Sequence, residues 1–342
     1  MIFNTRSSHR LSQVTRALFK GGVVVGCLAF GSAAQANIEF TFDYGTNNGL
    51  GFWDPASGAA RQAAMAESSA AFSTMFGSYF SNTATILLTA SATDLPLSNN
   101  LASAGSEAFG GNGAGFTVQE IVRTKALTGV DLNGATADGS VNVNFGQPWN
   151  LGTGTTSSTD YDFYSTIFHE YTHALGFASG IVQDGTPFFG GTKAAGEWTT
   201  YDSFLVDKNG NRVVNNTTFA LNQAVWDAGS VGGASPAGGL FFNGANAAAA
   251  NGGQPVGLYT PTTWEGGSSV AHTDDQNPAI YGTMMTAQGP TGPWPRTYSA
   301  IEVGIMTDLG YTAVTAVPEP ETFAMMLAGL GFIGAAVRRR KA

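Results

Sequence analysis

The chain has 342 residues, with 15 Lys and Arg against 24 Asp and Glu and a formal net charge of −9 at pH 7. An acidic chain with so few Lys and Arg side chains cannot neutralise many phosphates, which argues against nucleic acid binding. Its single cysteine, Cys27, excludes a disulfide scaffold. The length is sufficient for a large hydrophobic core, in one domain or in two lobes.

Residues 1–36 are typical of a secretory signal peptide. The first 20 residues carry four basic and no acidic residues, residues 21–33 are small and apolar, and residues 34–36 read A-Q-A, which fits a signal-peptidase site. Two alternatives are a membrane anchor, for which the apolar run is short, and lipidation at Cys27. We therefore expect export and a mature chain that begins at Asn37.

Between residues 37 and 316 the sequence predicts a mixture of strands and helices. Apolar patterning predicts strands at 38–44, 85–90 and 141–145, and an Ala-rich helix at 59–80. A last helix over 299–309 is predicted to stop at Gly310. We expect an α+β domain in which a twisted sheet backs two helices, a more irregular C-terminal lobe follows, and a cleft separates the two.

Residues 169–177 read H-E-x-x-H-x-x-G-F. On a helix, His169 and His173 lie on the same face one turn apart, so both imidazoles can reach one metal ion. Glu170 lies next to the first imidazole, where a carboxylate can take a proton from a metal-bound water. This spacing of two ligands and a base predicts a zinc hydrolase site.

The helix that carries this motif is predicted to begin near Asp160, with Ser158 or Thr159 as its N-cap. Apolar residues between 163 and 175 form its buried stripe, and the motif lies on the opposing face. Gly176 is expected to end the helix and to turn the chain back toward the metal.

A third ligand is needed, because open catalytic zinc sites hold the metal by three protein side chains. His272 is the only histidine after the motif, 99 residues beyond His173. Glu197 is the alternative, since another class of zinc enzymes uses a downstream glutamate, but its neighbours carry no ligand pattern. We favour His272.

The motif, a long insertion, a late histidine after Gly-Ser-Ser and then Met284 and Met285 together resemble a metzincin-type zinc metalloprotease. The spacing is similar to that of its leishmanolysin-like branch, because the compact metzincins place the third ligand where this chain has Ser179. The resemblance covers residues 160–180 and 266–310. It implies a zincin-like fold, with Met285, or else Met284, as the floor beneath the metal. The zinc ligands that it implies are His169, His173 and His272.

Residues 178–265 form the insertion, which is rich in Gly, Asn and Ala. Within it, Asp207, Asn209 and Asn211 could offer oxygen ligands to calcium. The Asn-Gly pair in this stretch favours a hairpin turn instead, and we expect the turn.

Residues 317–321 read V-P-E-P-E and precede an apolar run at 322–337 and four basic residues at 338–341. This arrangement resembles a PEP-CTERM sorting signal, whereas a plain C-terminal anchor is the alternative. The resemblance implies an exosortase-type sorting enzyme as partner and transient contact with the inner membrane. We expect a protein that is secreted, or displayed on the surface or in the matrix, of a Gram-negative-type bacterium.

Taken together, these features predict a secreted or surface zinc metalloendopeptidase in which Glu170 acts as general base on a zinc-activated water. Tyr281 and Tyr298 are candidates for stabilising the oxyanion, and nothing in the sequence separates them. Two other functions stay open: a non-catalytic zinc-binding surface or matrix protein, and a zinc hydrolase of non-peptide substrates. The carboxylate of Glu170 argues against the first, because a structural zinc site has no use for it.

Overall fold

The helix that carries the motif packs, together with the long Ala-rich helix, against a four-stranded mixed sheet. The computed structural model describes residues 37–111 and 113–312, so the predicted signal peptide, Cys27 and the sorting signal lie outside the described residues. The strands are β1 Ile38–Asp43, β2 Ala84–Thr93, β3 Ala102–Ser106, β4 Ala108–Phe109, β5 Gln119–Glu120, β6 Gly139–Asn144, β7 Trp149–Asn150, β8 Tyr161–Asp162, β9 Gly191–Thr192, β10 Ala195–Gly196, β11 Leu205–Asp207, β12 Leu240–Phe242 and β13 Val256–Gly257. The helices are α1 Gly58–Phe76, α2 Ile121–Thr128, α3 Phe163–Ala174, α4 Gln223–Gly229, α5 Ala245–Ala250 and α6 Ala300–Asp308.

The strand order in the main sheet is β1-β2-β6-β3. The first three strands run parallel, with Ile38 opposite Ala84 and Leu88 opposite Gly139. Parallel neighbours need a crossover, and α1 supplies the one between β1 and β2. β3 runs antiparallel to β6, with Ala102 opposite Val143, and it forms one edge of the sheet.

Aromatic side chains join α1 and α3 to β1. The ring of Phe40 stacks on that of Tyr171 from α3 at 4.1 Å between centroids. Phe72 of α1 lies 5.6 Å from Phe168 and 5.4 Å from Tyr171, both edge to face. Phe40, Phe72, Phe168 and Tyr171 are all buried, so this cluster fixes α3 against the sheet.

From Ala178 onward the described chain consists of short elements, including a three-stranded sheet of order β11-β12-β13 and the helices α4, α5 and α6. α6 begins with a capping box: the Ser299 side chain accepts from the N–H of Glu302, and the Glu302 side chain accepts from the N–H of Ser299. Gly310, at φ 106°, follows α6 at the predicted stop.

The prediction of an α+β protein with strands near 38–44, 85–90 and 141–145 is confirmed. The predicted start of the motif helix is wrong, because α3 begins at Phe163 and its N-cap is Asp162. Asp162 accepts a hydrogen bond from the N–H of Ser165 at 3.0 Å. Ser157 and Thr159 bond to each other in the preceding turn instead.

Candidate metal centre and cleft

One face of α3 packs in the core, and the two motif histidines lie on the opposite face. Phe163, Ile167, Phe168 and Tyr171 are buried in the core, whereas the rings of His169 and His173 face a cleft. Gly176 follows the helix with φ 98°, a conformation that favours glycine. A Cβ there would lie 2.9 Å from Arg123 Cδ, so a larger residue would also have to displace that arginine side chain.

Three imidazoles converge in the cleft. The Nε2 atoms of His169 and His173 are 2.9 Å apart, and that of His272 lies 3.0 Å from the first and 3.1 Å from the second. The three residues could together hold a metal ion. His272, which the sequence brings from 99 residues away, therefore joins the motif pair in space, as expected.

The other ring nitrogen of each imidazole is held by a backbone carbonyl. His169 Nδ1 lies 2.7 Å from the carbonyl oxygen of Met284, His173 Nδ1 lies 2.8 Å from that of Phe177, and His272 Nδ1 lies 2.8 Å from that of Ser268. Because a carbonyl oxygen can only accept, each Nδ1 carries the proton and each Nε2 presents a lone pair. Three lone pairs this close repel one another unless a proton or a cation lies between them.

Electrostatics keeps the three rings neutral. Burial lowers the pKa of His169 to about 4, although its hydrogen bond to Met284 opposes the shift. Burial lowers the pKa of His272 to about 3, and the repulsion that would arise if His169 were protonated as well adds to the shift. Burial and the two neighbouring imidazoles hold the pKa of His173 well below its usual value. Neutral imidazole is the form that binds metals.

Glu170 lies beside this cluster and also lines the cleft. Its side chain is buried, with 5% of the residue exposed, and its Oε2 atom has no hydrogen-bond partner among residues 37–111 and 113–312. Burial raises the pKa of Glu170 to about 8, and a hydrogen bond from the backbone N–H of Ala104 opposes the rise. In its ionised form this carboxylate can take a proton from a small molecule in the cleft, and the raised pKa makes it a stronger base than an exposed glutamate.

The cleft has a volume of about 810 Å³ and runs between β3 and the segment after the two methionines. A larger groove of about 1030 Å³ lies between β1 and α1, away from the cluster, and contains no histidine. Side chains and backbone on both walls of the cleft include Asn99, Asn100, Ala102, Ser103, Ala104, Tyr161, Ser165, Thr166, Glu265, Ser268, Met284, Thr286, Gln288 and Trp294.

The two methionines occupy different positions. Met284 lines the cleft, and its carbonyl accepts from His169. Met285 is fully buried, its N–H donates to Glu302 Oε1 at 2.6 Å, and its carbonyl accepts from the N–H of Thr273. The residue expected beneath the cluster, Met285, is thus in the supporting turn, and the alternative, Met284, is the one that reaches the cleft.

The other sequence candidates lie elsewhere. Glu197 accepts a hydrogen bond from the N–H of Gly113 at 3.0 Å and does not belong to the three-histidine group. Ser179 donates to Asp202. Tyr298 is half-buried behind α3, where its hydroxyl lies 2.7 Å from that of Thr172. Tyr281 is 52% exposed and packs on Trp294 without lining the cleft.

The stretch considered for calcium forms a turn. Asp207 Oδ1 accepts from the N–H groups of Asn209 and Asn211 at 2.8 Å each, and its Oδ2 accepts from the side chain of Asn211. The flanking residues Val206 and Arg212 form an antiparallel bridge. The carboxylate is therefore occupied by the hairpin-like turn that the Asn-Gly pair favoured.

Four residues that line the cleft were not predicted from the sequence: Ala102, Tyr161, Gln288 and Trp294. The strand at Ala102 consists of small residues with low strand propensity, so no periodic signal marked it. The three carbonyls that orient the imidazoles are backbone atoms and leave no trace in residue type.

Residues 316–341 match the family model of the PEP-CTERM protein-sorting motif. No curated protein and no solved structure matches the chain significantly. The motif implies recognition by an exosortase-type sorting enzyme, and export to the cell surface or beyond in Gram-negative bacteria. Within residues 37–111 and 113–312, no helix is long and apolar enough to cross a membrane, and the predicted apolar run at 322–337 lies outside them.

Proposed function

We propose that this chain is an exported zinc-dependent endopeptidase. The observation that carries the proposal is the convergence of three Nε2 lone pairs at 2.9–3.1 Å, each fixed by a carbonyl on the opposite side of its ring. This donor set satisfies a nitrogen-binding divalent metal and leaves one side open to the cleft.

The spacing is close to what a zinc ion requires. Zinc–nitrogen bonds of about 2.0–2.1 Å at tetrahedral angles separate ligand nitrogens by roughly 3.3 Å. The three Nε2 atoms are 2.9–3.1 Å apart, so small outward shifts of the rings accommodate the ion. The metzincin resemblance of the motif and of the methionine turn supports the same metal.

When bound, zinc would supply Lewis-acid catalysis, activating a water and polarising the substrate carbonyl. Glu170 then serves as the base: its Oε2, which accepts no hydrogen bond from the described part of the chain, takes the proton of the attacking water and returns it to the leaving nitrogen. The backbone N–H of Ala104 donates to this carboxyl group and favours its ionised form, the form that acts as a base.

β3 supports an extended peptide as the substrate. Among the described strands, this edge strand pairs with β6 alone in the main sheet, and its residues Ala102, Ser103 and Ala104 line the cleft beside Glu170. An extended chain bound along a free strand edge can form backbone hydrogen bonds with it, whatever its side chains. Non-peptide substrates lack the repeating N–H and C=O groups that such an edge recognises.

Metal content and casein cleavage, measured together with and without a chelator, test the proposal. One zinc per chain and hydrolysis that stops on chelation and returns with added zinc are expected. Stoichiometric zinc without hydrolysis would instead favour a zinc-binding surface or matrix protein, and hydrolysis of esters but not peptides would favour the non-peptide alternative.

A further inference from the structure

Glu302 is a buried carboxylate far in sequence from the cluster, and the proposed mechanism does not use it. It lies in the first turn of α6 with none of its surface exposed. Its Oε2 accepts from the N–H of Ser299 at 2.6 Å, as a capping box requires. Its Oε1 accepts a further hydrogen bond, which a capping box does not require, from the N–H of Met285, also at 2.6 Å.

Through that second bond, a single peptide group connects Glu302 to the three-histidine cluster. The N–H of Met285 and the carbonyl of Met284 belong to the same planar peptide, on opposite edges of it. The N–H points to Glu302, and the carbonyl accepts from His169 Nδ1 at 2.7 Å. A carboxylate that polarises the N–H makes the carbonyl a better acceptor, because hydrogen bonds in series strengthen one another.

The same turn also holds the third imidazole. The carbonyl of Met285 accepts from the N–H of Thr273 at 2.9 Å, and Thr273 directly follows His272. Displacement of Met285 would therefore disturb two of the three rings. His173 is independent of this turn, since its Nδ1 donates to the carbonyl of Phe177.

No ion pair among the described residues includes Glu302. Burial raises the pKa of Glu302, while hydrogen bonds from Ser299 and from the backbone of Met285 and Met284 oppose the rise. The positive end of the α6 dipole adds to these donors. Glu302 is thus a carboxylate without a cation partner among the described residues, and two successive hydrogen bonds connect it to the histidine cluster. Its negative charge therefore also favours a metal cation at that cluster.

We propose that Glu302 is a positioning residue of the metal centre: through the Met284–Met285 peptide it keeps the proton of His169 on Nδ1 and so presents Nε2 to the metal. The inference rests on the proposed metal site but not on the proposed peptidase activity. Changes to groups that orient metal-binding histidines lower metal affinity about 10–100-fold.

Zinc affinity, measured by competition with a chelator, provides the first test. Glu302→Gln replaces one of the two accepting oxygens by an NH2 group, which only donates, and is expected to weaken zinc binding about tenfold or more. Ser299→Ala is the matched control, because it removes a cap of the same helix, the Oγ that accepts from Glu302 N at 3.3 Å, without touching the turn. Affinity within about twofold of wild type in Glu302→Gln, or an equal loss in Ser299→Ala, would overturn the proposal.

Should Glu302→Gln fail to fold, Glu302→Asp keeps the charge but has a shorter side chain, and a loss of zinc affinity of about threefold or more is expected. An unchanged zinc affinity would count against the proposal.

Nitrogen-15 NMR of the imidazoles in metal-free protein is a second test. His169 should carry its proton on Nδ1 in wild type and lose that preference in the variant, with His173 unchanged as the internal reference. An unchanged His169 would overturn the proposal. Because neither readout involves hydrolysis, a wild-type protein that binds zinc without cleaving peptides would defeat only the proposed function.

Discussion

Asp162 and Arg296 form an ion pair that joins the start of α3 to the segment after the methionine turn. The guanidinium Nε lies 2.9 Å from Oδ1 and 3.1 Å from Oδ2 of the carboxylate. The same guanidinium donates to the carbonyls of Gly152, Thr153 and Gly154. Since Asp162 also caps α3, one pair ties together the helix of the motif and the wall of the cleft that carries Trp294.

Replacement of Arg296 should therefore destabilise the fold. Arg296→Met leaves the buried Asp162 carboxylate without its cation, and a broken buried pair costs about 3–5 kcal/mol, a range that the partial exposure of Arg296 lowers to about 2–4 kcal/mol. Denaturant unfolding measures the change. Arg212→Met is the control, because Arg212 is exposed and donates to one carbonyl, that of Ser203. Equal losses in the two variants would show that the pair has no special role.

Glu170→Gln should bind zinc like the wild type and lose turnover by several orders of magnitude, since the carboxylate moves a proton and does not coordinate the metal. Kinetics on a peptide substrate, with zinc content measured on the same samples, check this. Glu265→Gln changes another carboxylate of the cleft, an exposed one at its rim, and should stay within a few-fold of wild type. More than about a tenth of wild-type turnover in Glu170→Gln would refute the assignment.

Stability should depend on pH through a carboxyl outside the cleft. Burial raises the pKa of Glu120 to about 7, with Arg123 opposing and Asp202 adding to the shift. The folded state thus favours the protonated form, so the contribution of Glu120 is fully present below pH 4.5 and is lost as the pH rises to about 7.

Glu120→Gln mimics the protonated form at every pH. The variant should therefore be more stable than wild type at pH 8, by on the order of 1–3 kcal/mol, and equal to it near pH 4. Unfolding curves at both pH values test this, and Glu39→Gln, a change at an exposed carboxylate, should show no such difference. A variant less stable than wild type at pH 8 would mean that Arg123 favours the ionised form more than burial opposes it.

Export should leave a shortened chain. Purified from its native host, the protein is expected to begin at or near Asn37 and to lack the residues after the Pro-Glu-Pro segment at 318–320, in keeping with the sorting motif at 316–341. Intact-mass measurement decides the matter. A mass that still includes the four basic residues at 338–341 would favour the plain membrane anchor.

Much of the candidate site could be predicted from the sequence, because the residues expected to bind a metal and to act as base have characteristic types at a fixed spacing. The motif placed His169, Glu170 and His173 on one helical face, and the scarcity of histidine pointed to His272. The N-cap was missed because several acidic and hydroxyl residues precede α3, and only tertiary contacts, here with Arg296, select Asp162 among them.

The supporting geometry could not be predicted in the same way. Backbone carbonyls orient all three imidazoles, and no residue pattern encodes which carbonyl faces which ring. Glu302 was predicted only as part of the last helix, because its bond to Met285 spans 17 residues of irregular chain. Strands were predicted where apolar residues alternate, as in β1, and missed where small residues replace them, as in β3.

Zinc stoichiometry and affinity, measured in parallel for wild type, His272→Ala and Glu197→Ala, test the central claim most directly. Wild type should bind one zinc per chain, His272→Ala should bind it far more weakly, and Glu197→Ala should match wild type, because Glu197 lies outside the three-histidine group. Loss of zinc in Glu197→Ala with retention in His272→Ala would contradict the account.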